Sequence, residues 1–264
     1  MVSVTKVENK TNSDVAKFDS LNIQTNKYTV RLAKSWQEVE LALKLRFEVF
    51  NLELGEGLPQ SYINMMDEDE FDKQFHHLLV IENATNKVIG TYRVQDGDMA
   101  EQGNGFYTAS EFTISLFPAE VLFNGIELGR ACIHKEHRNG RVLFLLWKAI
   151  AKYLVITEKR FLFGCCSLTS QSSEEAWRVF NYVTRRGHLH HCINIPVEPA
   201  FHCPGRVVSN HSEIELPKLF QLYLQIGAKV CSSPAIDRTF KSIDFLILLD
   251  LNTIKPETKN LFFK

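Results

Sequence analysis

Apolar residues recur along this chain with two periods, and the order in which they alternate predicts a mixed α/β fold. Residues 1–27 are rich in Asn, Thr, Ser, Lys and Asp and carry no period, which predicts a flexible arm. Tyr28, Val30 and Leu32 then alternate with polar residues, the period of a half-buried strand. Ser35 and Glu38 have the S-x-x-E spacing of a capping box. A helix is expected from there to about residue 54, where Gly55 and Gly57 end it. Residues 58–76 read as a loop, acidic over 67–72. Strands are predicted over 77–82 and 88–94, around a turn at 83–87, with a further turn at 96–98. Strands are also expected over 106–115 and 126–134.

The second half repeats the alternation. A turn at 138–140 opens an apolar helix over 141–157, and a strand follows over 161–168. Ser172 and Glu175 cap a helix that Gly187 ends, and Pro217 and Gly227 bracket another. Between those helices, residues 188–214 hold five histidines and three prolines with little period, so they read as a loop insertion. Strands at 228–231 and 243–251 close the pattern. The fold class is therefore α/β: one mixed central sheet flanked by helices, a single domain over 28–252 with a C-terminal tail at 253–264.

Composition narrows the function classes. A chain of 264 residues is long enough for one substantial core. A net charge of -1 gives no global field for nucleic acid or an anionic membrane, so an electrostatic partner must use a local patch. The six cysteines form no C-x-x-C pair, the first residues carry no secretory pattern, and no run approaches ~18 apolar residues. A reduced, cytoplasmic protein is expected.

Charges that interrupt apolar patterns mark the candidate chemistry. Arg46 falls on the helical stripe Val39, Ala42, Leu43, Phe50; it either snorkels, joins a structural ion pair or serves a site. The acidic stretch Glu70-Phe71-Asp72 offers it a partner. Arg93 is similarly placed in a strand. Glu127 and Arg130 interrupt the central strand, where strict pleating puts them on opposite faces and a bulge at Gly129 would change that. Arg138-Asn139-Gly140-Arg141 feeds a helix N-terminus, whose amides and dipole suit phosphate oxygens. Lys148 and Lys152 share a helical face with Arg141 and could extend a basic strip. His188, His190, His191 and Cys192 are too compressed for a recognised zinc spacing, so no metal is expected and a loop or substrate-pocket role is preferred.

Taken together, these pieces resemble the GNAT acyltransferases, and more specifically the ornithine–acyl-carrier-protein N-acyltransferases and their amino-acid-acylating relatives. More distantly the chain is similar to acyl-homoserine-lactone synthases. The matching pieces are Leu45-Arg46-Phe47-Glu48-Val49-Phe50, Glu70-Phe71-Asp72, His77-Leu78-Leu79-Val80, Gly90-Thr91-Tyr92-Arg93, Phe106-Tyr107, Glu111-Phe112, Glu127-Leu128-Gly129-Arg130, His134 with Arg138-Asn139-Gly140, Leu145-Leu146-Trp147 and Leu162-Phe163-Gly164-Cys165. The common GNAT loop has a second small residue where Arg141 stands, a departure that agrees with the acyl-carrier-protein branch.

The resemblance implies a substrate site of Arg46, Phe50, Glu70, Asp72, Arg93 and Phe112, with Glu127 as general base and Arg130 beside it. It implies carrier contacts at Arg138, Asn139, Gly140, Arg141 and Lys148. The implied reaction moves a fatty acyl group, with or without a 3-hydroxyl, from acyl carrier protein to the amine of an amino acid such as ornithine. The donor is then acyl-phosphopantetheine on the carrier, no cofactor is held, no nucleic acid is bound, and the lipid product implies transient contact with the inner membrane face. Two alternatives stand beside it: a lactone synthase using S-adenosylmethionine, and a non-catalytic carrier- or lipid-binding module.

Overall fold

The computed structural model describes residues 17–205 and 214–263. In chain order its main elements are β1 (Asn22–Gln24), β2 (Tyr28–Leu32), α1 (Trp36–Arg46), β3 (His76–Glu82), β4 (Val88–Asp96) and β5 (Gly125–Ile133). Then follow α2 (Arg141–Thr157), β6 (Phe161–Leu168), α3 (Ser173–Arg185), α4 (Lys218–Ile226), β7 (Lys229–Val230), β8 (Ala235–Asp237), β9 (Ser242–Asp250) and α5 (Pro256–Phe263). The strands form one mixed sheet in the order β1-β2-β3-β4-β5-β6-β9-β7, with β8 also paired to β9. β5 and β6 run parallel, joined by α2 as the crossover; the other pairs are antiparallel.

Strand periodicity sorts side chains onto the two faces. Val94, Ile126, Leu128, Leu162 and Phe245 pack with Val142, Leu145 and Ile150 of α2 and Val179 of α3. On the other face Phe161, Phe163 and Leu248 pack with Phe112, Phe117 and Ile195 from the connections. That second face also carries Arg93, Gln95, Glu127, Cys165 and Asp244, all at positions alternating with the α2-facing residues.

Several expectations shift. The stretch read as an arm includes β1, and Leu21 is buried against the sheet; residues 1–16 lie outside the described residues. α1 passes at Phe47–Glu53 into a π-helical turn. Ser35 accepts the Glu38 amide, but the Glu38 carboxylate leaves the box to pair with both Nη atoms of Arg31, a stronger charged partner. The strand expected over 106–115 is instead two 3-10 turns, Tyr107–Ser110 and Ile114–Leu116, because the amides of Tyr107 and Thr108 turn inward to a buried carboxylate. In the insertion, residues 188–205 lay Ile193, Ile195, Val197 and Phe201 over the second cluster, and 206–213 lie outside the described residues. The segment read as a tail contains α5, whose Phe262 meets Phe144 and Trp147 of α2.

Candidate active site

Two irregularities in the central strands create the site. β5 and β6 pair only from Gly125↔Phe161 to Glu127↔Phe163, although both strands run on. Gly164 lies so close to Leu128 that an added Cβ would clash with the Leu128 carbonyl oxygen. Beyond that contact the strands part. On the other edge, β4 and β5 are in register to Arg93↔Gly129 and resume at Thr91↔Cys132, so Arg130 and Ala131 oppose Tyr92 alone. This is a β-bulge, and Arg130 sits in it with φ of 52°. The bulge turns Arg130 onto the face that carries Glu127 and Arg93.

There the arginines interlock with three aspartates. Arg46 donates from Nε to Asp67 at 2.7 Å and from both Nη atoms to Asp72 at 2.6 and 3.2 Å. Arg93 Nη1 bridges Asp69 at 2.7 Å and Asp72 at 2.9 Å. Arg130 reaches Asp69 and Asp67, each at 3.3 Å. Burial would raise the Asp72 carboxyl, but Arg46 and Arg93 outweigh it and hold it far below the ordinary carboxylate range. Beside the cluster, burial pushes His77 down to about 4, so it stays neutral and meets the Asp72 carbonyl through Nε2. Aromatic rings stack the guanidinium groups: Arg93 lies over Phe75 and Tyr107, Arg130 over Tyr107 and Phe240.

One edge of Arg93 is left over. Its Nε and Nη2 are buried with no hydrogen-bond partner. Arg93 lines the cleft between the parted strands, where an arginine fork matches a carboxylate. Arg46 is 0 % exposed, spends its fork on Asp67 and Asp72 and does not line the cleft.

Glu127 lines the cleft with Arg93. Its oxygens accept from Gln95 Nε2 at 2.6 Å, the Tyr107 amide at 3.0 Å, the Thr108 amide at 2.6 Å and the Thr108 hydroxyl. Burial raises its pKa, and the bonds from Thr108 and Gln95 recover part of the shift. Two of the four donors are fixed backbone amides; the Thr108 hydroxyl turns about a single bond and can rotate away to admit a proton.

The far wall is acidic. Glu111 and Asp244 line the same cleft. Asp244 accepts from the hydroxyls of Ser167 and Ser242, and burial pushes its carboxyl up to about 6. Burial, reinforced by Asp244 and Asp237, raises Glu111 well above the ordinary range. Cys165 also lines the cleft, with its thiol pushed up by burial.

Other expected residues fall elsewhere. Glu70 is exposed and outside the cluster; its place is taken by Asp67 and Asp69, since the 3-10 turn Glu70–Lys73 points Asp72 inward and Glu70 out. Phe112 is buried beneath the cleft in the second cluster, and its neighbour Glu111 faces the cavity instead. Phe50 stands one layer back, edge-on to Phe240. At the glycine turn, Gly140 has φ of 81° and Asn139 Oδ1 accepts the Arg141 amide. Arg138 is held by a two-pronged pair to Glu53 at 2.5 and 2.8 Å, so it is not a free carrier contact; Arg141 and Lys152 are exposed and Lys148 half-buried. Among the described residues no group of three or more His, Cys, Asp or Glu side chains has metal-holding geometry, and His190 stacks on His191.

Sequence reasoning missed Asp67, Asp69, Gln95, Thr108, Glu111 and Asp244 as site residues. Asp244 had a readable signal, a lone acid in an apolar strand, as did the acidic 67–72 run. The roles of Gln95 and Thr108 had none, because only folding brings them to Glu127.

The family model described as an acetyltransferase (GNAT) domain matches residues 45–148, which includes Arg46, Arg93, Glu127 and the glycine turn. An L-ornithine N(alpha)-acyltransferase of Rhizobium meliloti is 30% identical over 251 residues, 88% of this chain and 83% of the relative. One from Rhodobacter capsulatus is 27% identical, covering 89% of this chain and 94% of the relative. The solved structure of the AHL synthase LasI shares the fold with a TM-score of 0.51 at 14% identity, over 89% of this chain and 94% of that one. The chain belongs to the L-ornithine N(alpha)-acyltransferase family and is an N-acyltransferase on the GNAT fold.

Proposed function

We propose that this enzyme transfers a fatty acyl group from the phosphopantetheine of acyl carrier protein to the α-amine of ornithine, by direct attack on the thioester. The observation that carries the reading is Arg93, which lines the cleft with Glu127 and keeps its Nε–Nη2 edge buried without a hydrogen-bond partner. That edge binds the amino-acid carboxylate and leaves the α-amine near Glu127. The amine nitrogen bonds to the thioester carbonyl carbon, the C–S bond breaks, and the thiolate leaves and takes up the proton that the amine gives to Glu127. The proton from the amine passes to Glu127 as the Thr108 hydroxyl swings away, directly or through a water. Backbone amides at the Arg130–Ala131 bulge, out of the β4 register, receive the developing oxyanion. Burial raises the thiols of Cys132 and Cys165, which keeps them protonated and supports direct attack over an acyl-cysteine.

The pantetheine arm enters between the parted strands, and Arg141, Lys148 and Lys152 meet an acidic carrier surface. No helix among the described residues is long and apolar enough to cross a bilayer. Exposed Leu52, Tyr62, Ile63 and Met65 offer apolar surface for transient contact with the inner membrane face. The test is turnover of a 3-hydroxyacyl-carrier-protein with an amino-acid panel, read by product mass, with acyl-CoA as a parallel donor. N-acylornithine from the carrier arm is expected. Turnover with CoA alone would overturn the donor, and thiol release without an amide product would overturn amine acylation.

A further inference from the structure

The Glu111–Asp244 wall of the cleft has no part in binding the carboxylate or receiving the amine proton. Among the described residues neither acid has an ion pair, although the field of Arg130 favours the charged form of both. Arg93 and Arg130 stand in the same cleft, but Asp67, Asp69 and Asp72 already pair with them. Asp237 adds further negative charge behind the wall, with its Oδ1 held by the amides of Thr239 and Phe240. Glu111 is 1 % exposed, and its Oε2 is buried without a hydrogen-bond donor. A buried carboxylate oxygen with nothing to accept is costly, so the empty site lacks a partner that binding would supply.

We infer that Glu111 and Asp244 form a subsite for the side-chain ammonium of the acceptor, so that the enzyme selects an α,ω-diamino acid and presents its α-amine to the thioester. This subsite rests on the amino-acid acceptor reading above. An ammonium carries three N–H donors and one positive charge. Glu111 Oε2 is free to accept one donor, and Asp244 spends only one hydroxyl on each oxygen, leaving lone pairs on both. Arg93 at one wall and the acids at the other fix the substrate end for end: carboxylate to the guanidinium, terminal ammonium to the acids. The terminal amine stays protonated there and cannot attack, which directs the acyl group to the α-nitrogen.

The experiment compares ornithine with norvaline, which has the same carbon chain without the terminal amine. Acylation from acyl carrier protein is measured for each, and so is the Tm shift each produces without donor. Ornithine should exceed norvaline in kcat/KM by roughly 100-fold, the cost of leaving a buried charge unpaired. Glu111→Gln and Asp244→Asn should each collapse that ratio, and the ornithine-specific Tm shift with it. Equal kcat/KM for the two amino acids in the unsubstituted enzyme overturns the subsite without any variant having to fold. Variants in which both constants fall together, at a fixed ratio, overturn it as well. Acylation of ornithine and norvaline alike sinks the subsite and leaves amine acylation standing. An ornithine-specific Tm shift lost in Glu111→Gln, with no amino acid acylated, supports the subsite and sinks the transfer reaction.

Discussion

The cleft has two charged walls, and they are balanced in opposite ways. On the α1 side, Arg46, Arg93 and Arg130 meet Asp67, Asp69 and Asp72, so charge is neutralised within the protein. On the β9 side, Glu111 and Asp244 are buried with hydroxyls, a thiol and further acids for company. The first wall is a scaffold whose members hold each other, with one arginine edge to spare. The second stores unfavourable electrostatics that a cationic ligand relieves. Buried charge therefore does not report function by itself; what distinguishes a binding wall is the charge left unanswered.

The walls must also respond to pH with opposite sign. Asp72 is held below its unfolded value, so its stabilisation is present above the ordinary carboxyl range and is lost as pH falls. Asp244 is raised from 3.8 to about 6, so its folded form binds the proton more tightly. Its contribution is complete below the unfolded value and is lost as pH rises toward 6.

The largest effect is expected on catalysis. Glu127→Gln should lower turnover by about 100-fold or more with the fold retained; near-normal turnover would remove Glu127 as base. Next comes the scaffold wall. Asp72→Ala strips partners from Arg46 and Arg93 and should cost about 3–5 kcal/mol in a denaturant titration; an unchanged midpoint would mean the arginines find other partners. Glu111→Gln should act in the other direction on stability. The ligand-free protein should gain, increasingly as pH rises above the ordinary carboxyl range, by about 1.4 kcal/mol per unit of raised pKa. A loss at every pH would show that the Glu111 carboxyl is structurally satisfied. The smallest effect belongs to the rim: Arg141→Glu with Lys148→Glu should weaken carrier binding by about 10-fold, less so at high salt. Binding that ignores both changes would remove the basic strip.

Much of this was legible from residue order. The helix over 141–157 and the strand over 161–168 match α2 and β6, because long apolar runs bounded by turn residues allow few readings. Arg46, Arg93, Glu127 and Arg130 stood out because each breaks an apolar pattern, and all four are buried or nearly so in one region. Glu70 and Phe112 misled for a shared reason. Each adjoins a residue that does face the site, Glu70 inside a 3-10 turn and Phe112 just after one, and a one-residue shift at such turns cannot be resolved by pattern.

Periodicity and misplaced charge, properties of neighbouring residues, were enough to determine an α/β sheet with helices on it and a set of arginines and a glutamate in need of partners. Which partners they take was decided only in three dimensions. The bulge at Arg130–Ala131 chose the face of Arg130, the parting of β5 and β6 opened the cleft, and antiparallel pairing of β9 with β6 brought Asp244 to it from 117 residues beyond Glu127 in the chain. Contacts of that separation leave no local trace, because the charge on Asp244 is costly only once the fold has removed the water around it.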